Sequence, residues 1–166
     1  MPSARENIRE GVQTLLQRII LNNDSGMGYL FQHTLKKNNF SDPPTSIENM
    51  REFPFVNIFF GDEVCKNSDI GSALQTGGNR QLWHNSFDLV MDVYIKNQNV
   101  GVAQDRILAD LQAVFGNDYT INNTVFACAY KSGTPFGLEI QKPNCGISIT
   151  FTIWYRIYQT NPNVSG

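Results

Sequence analysis

Charge is scarce in this 166-residue chain: Asp, Glu, Lys and Arg make up 17% of it, against about 25% in an ordinary soluble domain. The balance is 13 basic against 15 acidic residues, a net charge of -2, which leaves no surplus of cations for gripping DNA through its phosphates. Long apolar runs are missing as well. Residues 55–60 are among the most apolar stretches, far short of the about 20 residues needed to cross a bilayer. Residues 1–6 lack the apolar segment of a secretory signal. Three cysteines, Cys65, Cys128 and Cys145, are odd in number and include no Cys-x-x-Cys. They read as reduced cytosolic thiols rather than a disulfide frame or a zinc site. What the chain does have is 41% hydrophobic residues, 13 Gly and 18 Asn, enough for one domain with a core of ordinary size. A surface rich in amides and poor in charge loses less on desolvation, which favours a protein covered by partners.

Periodicity predicts the elements. Ile8, Val12, Leu15, Leu16, Ile19 and Ile20 recur at helical spacing over residues 4–21, and Ser3 with Glu6 forms a capping box. A short helical turn is expected at 46–51 behind a Thr45/Glu48 capping pair. Residues 55–60 read as a buried strand, and residues 83–96 as a long one, with Phe87, Leu89, Met91, Val93 and Ile95 on one side. A second helix is expected over 100–115, with Asn99 at its N-cap and Gly116 as its C-terminal stop. Strands follow over 124–131 and 147–158. Long loops are expected at about 22–54, 62–82 and 132–146, and residues 161–166 as a frayed, flexible tail. The order helix-strand-strand-helix-strand-strand predicts a single α+β domain. It is a two-layer sandwich, with both helices packed on one face of a mainly antiparallel four-stranded sheet.

Length adds an expectation. At about 3.3 Å per residue the two long strands extend roughly 40–46 Å, whereas each helix covers only about 25 Å. Parts of these strands are therefore expected to lack helix cover, and the sheet keeps two open edges. Trp83, Tyr94, Trp154, Arg156 and Tyr158, at or near the polar strand faces, are the candidate inter-subunit or partner contacts.

No constellation for catalysis emerges. His33 and His84 have no Cys, Asp or Glu at ligand spacing, and Cys128 between Phe126 and Tyr130 reads as a small core residue. Cys65 and Cys145 read as loop thiols without a local base. Asp88 and Asp92 share a strand face but lie about 13 Å apart, too far for a glycosidase carboxylate pair. Asp62-Glu63 is weak as a metal site, and Gly77-Gly78-Asn79-Arg80 lacks the Lys-Ser/Thr of a phosphate loop. The chain reads as a non-enzyme with no cofactor and no metal.

The capped helix at residues 3–21 leads to the phrase Glu52-Phe53-Pro54-Phe55-Val56-Asn57-Ile58-Phe59-Phe60-Gly61-Asp62-Glu63. A long loop, a long alternating strand, a helix and two strands come next. This order and phrase resemble the tail terminator (tail completion) proteins of long-tailed bacteriophages. The resemblance implies a structural virion protein at the neck, assembled in the host cytoplasm and closing into a homohexameric ring. The ring would cap the head-proximal end of the tail tube and stop its growth. Its implied partners are sister copies, the tail tube protein, a neck or head-completion connector and, in contractile tails, the sheath. DNA would pass through without specific binding, and no membrane is involved. Either Asp88 and Asp92 on the sheet, or Asp62, Glu63 and Asp69 in the loop, are expected to face that channel. The rival readings are another head–tail adaptor ring, the cap of a phage-derived injection machine, and a cytosolic α+β domain. That domain would bind a ligand or single-stranded nucleic acid by stacking on Trp154, Tyr94 and Tyr158.

Overall fold

The computed structural model describes residues 2–21, 40–50, 53–65, 82–96, 99–137, 145–158 and 161–165. Helix α1, Ala4–Leu21, begins as its sequence dictates. The Ser3 amide donates to Glu6 Oε2 at 2.5 Å, and the Glu6 amide donates to Ser3 Oγ at 3.2 Å. Two of the orphan donors at the helix start are thereby satisfied.

Strand β1, Phe40–Ser41, runs parallel to β2, Phe55–Phe60, and a 3-10 turn at Ile47–Asn49 lies between them. That turn has Ser46, not Thr45, at its N-cap. The backbone of Thr45 is instead held by Asn57, which accepts from its amide at 3.0 Å and donates to its carbonyl at 2.9 Å. Strand β3, Val64–Cys65, stands where a loop was expected. Strand β4, Leu82–Ile95, and helix α2, Val100–Asn117, follow. Asn99 is at the α2 N-cap, but the helix runs through Gly116 and stops at Asp118.

Strand β5, Ala127–Phe136, extends well past its expected end, and β6 is Cys145–Tyr158. Cys145 is thus a strand residue, its thiol donating to the Ile95 carbonyl at 3.1 Å. Asn161–Ser165, expected as a frayed tail, forms β7 and pairs with the end of β6. The sheet order is β1-β2-β4-β6-β5, with β3 beside β4 and β7 beside β6; all pairings but β1–β2 are antiparallel. The architecture is an α+β sandwich.

Both helices cover the same face. Ile8, Val12, Leu15, Leu16 and Ile19 of α1 join Ile107, Leu111, Val114 and Phe115 of α2 in one buried cluster. It also takes in Val56, Ile58, Leu89, Met91, Val93, Ile149, Phe151 and Ile153 of the sheet. Phe115 and Phe151 stack at 4.6 Å in its middle. The roof is longer than helix lengths alone suggested. Alternate β4 residues are buried from Asn85 to Ile95, and alternate β6 residues from Ile147 to Tyr155. Beyond the apolar core on this side, a polar cluster closes the far end. There Arg5 of α1 donates to the Gly61 carbonyl at 2.6 Å and sits over the Phe87 ring. Glu63 accepts from Asn85 at 2.6 Å and from the Tyr155 hydroxyl. Among the described residues, no helix covers the other face of the sheet.

Candidate functional site

Pleating sends every second residue of β4 and β6 to the helix-free face. Read across the strands, that face has rows Tyr94–Gly146–Phe136, Asp92–Ser148–Thr134, Asp88–Thr152–Ala129 and Ser86–Trp154–Ala127, then His84–Arg156. Among the described residues no helix lies on it. At its β2 border the Thr45 segment covers Asn57, which is only 3% exposed. The rest is mostly polar, half-buried along much of β4 and β6 and exposed at Ala129, Ser132 and Thr134 of β5; its exposed aromatics are Phe59 at 38% and Phe126 with Trp154 at 59% and 36%.

At one end Tyr94 and Phe136 meet edge-on at 5.3 Å across Gly146. A Cβ there would lie 1.9 Å from the Val93 carbonyl oxygen and 2.7 Å from the Phe136 ring, so only glycine lets these strands and rings close up. Burial, with the charge of Asp92 added, raises the Tyr94 pKa. At the other end a groove of about 290 Å³ is lined by His84, Phe126, Trp154 and Arg156, among others. The Arg156 guanidinium lies over the Phe126 ring at 4.2 Å, a cation–π contact that holds it flat.

The acidic residues singled out from the sequence separate. Asp88 and Asp92 do share the open face, but Asp88 is neutralised: Lys131 Nζ donates to it at 2.6 Å and Thr152 Oγ1 at 2.9 Å. The Lys131 contact, with Thr152 adding to it, holds its carboxyl below the ordinary 3.8. Lys131 reaches it from a bulge in β5, between the Tyr130 and Ser132 pairings. Asp92 has no ion-pair partner among the described residues. Glu63 is drawn to the helix side by Asn85 and Tyr155, with Arg5 at 3.9 Å. Asp62 is exposed beside it. Asp69 and His33 lie outside the described residues. So do the side chains of Trp83 and Tyr158, whose backbones pair with Ile157 and Leu82.

Of the proposed contact residues, Trp154 and Arg156 are thus brought together and Tyr94 stands at the opposite end of the face. Sequence reasoning missed Phe126, which bends into the same corner by donating its amide to the Trp154 carbonyl at 2.8 Å. It also missed Lys131, whose position depends on the bulge. Cys128 is buried, and burial pushes its thiol up to about 12, as fits a core residue rather than a nucleophile. Among the described residues no three His, Cys, Asp or Glu side chains gather to hold a metal, and no helix is long and apolar enough to cross a membrane. No protein-family model matches the chain, and no curated protein matches it.

Proposed function

We propose that the chain is a subunit of a ring that caps the head-proximal end of a phage tail tube, stops its polymerisation and joins it to the neck. The observation that carries this is the face of two 14-residue strands, β4 and β6, that no helix covers among the described residues, with exposed aromatics at its corners. Such a face on a soluble subunit is suited to contact with other subunits. The long-strand order and the Phe-Pro-x-Val-x-Ile-x-x-Gly-Asp-Glu phrase support the same reading. A cap must match the last tube ring on one side and fail to template another on the other; inside a ring, its contacts with neighbours are heterologous.

On this reading the chain is structural rather than enzymatic. Its partners are sister copies in a hexamer, the tube protein, a neck connector and, in contractile tails, the sheath, all within the virion. Low charge suits a channel through which DNA slides, since cationic walls would hold its phosphates. Asp92, the acid of that face with no cation paired to it among the described residues, is the residue we assign to that wall. Cryo-electron microscopy of tails assembled with and without the chain tests the role. A ring of this protein at one end of tubes of fixed length is expected. Tubes of fixed length without it would contradict the reading. Phage carrying Asp92→Lys should still form rings but eject DNA poorly; normal infectivity would reject the channel assignment.

One observation favours a second reading. Arg156 stacked on Phe126 beside Trp154 is also a platform on which an unpaired base could lie. Salt-dependent binding of a labelled oligonucleotide, lost in Trp154→Ala, would support it.

A further inference from the structure

One end of the sheet has two unlike borders at the same level. Val64 pairs with Ser86, Ser86 with Trp154 and Trp154 with Ala127, so a single cross-strand row links β3 to the start of β5. On the β3 border Val64 is 53% exposed, and the neighbouring Asp62 is exposed with no ion pair among the described residues. No other described strand pairs with β3. Across β4 and β6 from it, towards the start of β5, is the groove whose lining includes His84, Ser86, Phe126, Trp154 and Arg156, and no residue lining it is an Asp or a Glu. Arg156 Nε is buried there without a hydrogen-bond partner, although the chain as a whole carries a net charge of -2.

We infer that this groove receives residues 62–64 of a second copy of the chain, with Val64 seated against Phe126 and Trp154 and Asp62 paired with Arg156. The inference rests on the ring reading above and names the contact that closes the ring. A carboxylate close to an exposed β-branched side chain matches a cationic, aromatic groove in charge and in apolar character. Because the 62–64 segment and the groove are different patches of one chain, each copy can bind two neighbours, one through each patch. Such a head-to-tail contact is heterologous: it gives a ring where its rotation closes, not a two-fold dimer. A segment of another acidic protein or a single-stranded nucleic acid is the competing occupant.

Native mass spectrometry of the full chain, alone and with tail tubes, tests the contact on Asp62→Arg, Arg156→Glu and the double variant D62R/R156E. Asp62 is exposed, so D62R should keep the wild-type fold even if R156E is weakened by loss of its stack. Each single reversal should weaken self-association roughly tenfold or more at low salt, and the double variant should regain it. Wild-type rings unaffected by D62R, or a double variant no better than the singles, would overturn this contact and leave the ring standing. A wild type that assembles under neither condition would overturn the ring reading, and this contact with it. Oligonucleotide or foreign-protein binding lost in R156E while rings persist would assign the groove to another occupant.

Discussion

A Cβ on Gly11 would lie 2.7 Å from Ile121 Cγ2 and 3.1 Å from the Ile121 carbonyl oxygen. Ile121, Asn122 and Asn123 all have left-handed backbone, at φ 48°, 55° and 61°, an unfavourable conformation for a β-branched residue. It is maintained because Ile121 is fully buried, and because Arg18 of α1 grips Asp118 at 3.2 Å and Asn122 at 2.6 Å. Gly11→Ala should therefore cost about 1 kcal/mol net, overpacking outweighing the gain in helix propensity. Gly116→Ala, with nothing within 4 Å of the new Cβ, should gain about 0.5–1 kcal/mol. Urea denaturation of both variants reads this, and equal effects would contradict the packing of the 121–124 loop on α1. None of it could be read locally, since the strain at Ile121 is set by a helix more than a hundred positions earlier.

Asp88 gives a pH-dependent test at the same scale. Its pKa is lowered below the ordinary 3.8, first by the Lys131 hydrogen bond. The stabilisation is therefore present at neutral pH and is lost as pH falls through the carboxyl's own titration. Both partners are well exposed, so it should amount to about 0–1 kcal/mol. In a carboxyl-carbon NMR titration, Lys131→Ala should move Asp88 upward; an unmoved midpoint would contradict the ion pair.

At the scale of elements, periodicity was a good guide where one face alone decided burial. Helix α1 has the bounds its apolar stripe and capping box imply, β2 is the buried strand its apolar run implies, and β4 and β6 follow the alternation of their side chains. It failed where the partner strand decides. Residues 132–136 and 161–165 read as loop and tail from their Gly, Pro and Asn content, yet each pairs with β6. A Gly-containing helix end likewise gave no stop at Gly116, because α2 continues to Asn117.

The polar cluster that joins α1 to the end of the sheet was equally hidden, its members Arg5, Glu63, Asn85 and Tyr155 being spread over the chain. Burial foremost, and then the hydrogen bond to Glu63, pushes the Tyr155 hydroxyl from 10.0 up to about 12. Stability from this group is thus full below pH 10 and lost as pH rises through about 12. Tyr155→Phe should destabilise the protein by about 1–2 kcal/mol at pH 7 and flatten its alkaline loss of stability. Thermal melts between pH 8 and 12 check both, and a variant with the wild-type alkaline slope would contradict the cluster.

For the whole molecule, the sandwich fold was legible, and so was the split of each long strand into an apolar and a polar side. The location of the uncovered surface was not. Strand and helix lengths placed it along parts of the two long strands, whereas Arg5 and Glu63 close one end of the helix side and, among the described residues, no helix covers the second face. That face is close to balanced in charge, with Lys131 and Arg156 set against Asp88 and Asp92. Its aromatic corners rather than a field of one sign are what it offers to a partner. Each ring contact would be of ordinary size, about 800 Å² per partner. The most direct measurement is the mass of the assembled species of the full-length chain by native mass spectrometry, alone and on isolated tail tubes. A closed sixfold assembly in either condition is the result this account requires. A strict monomer in both would contradict it.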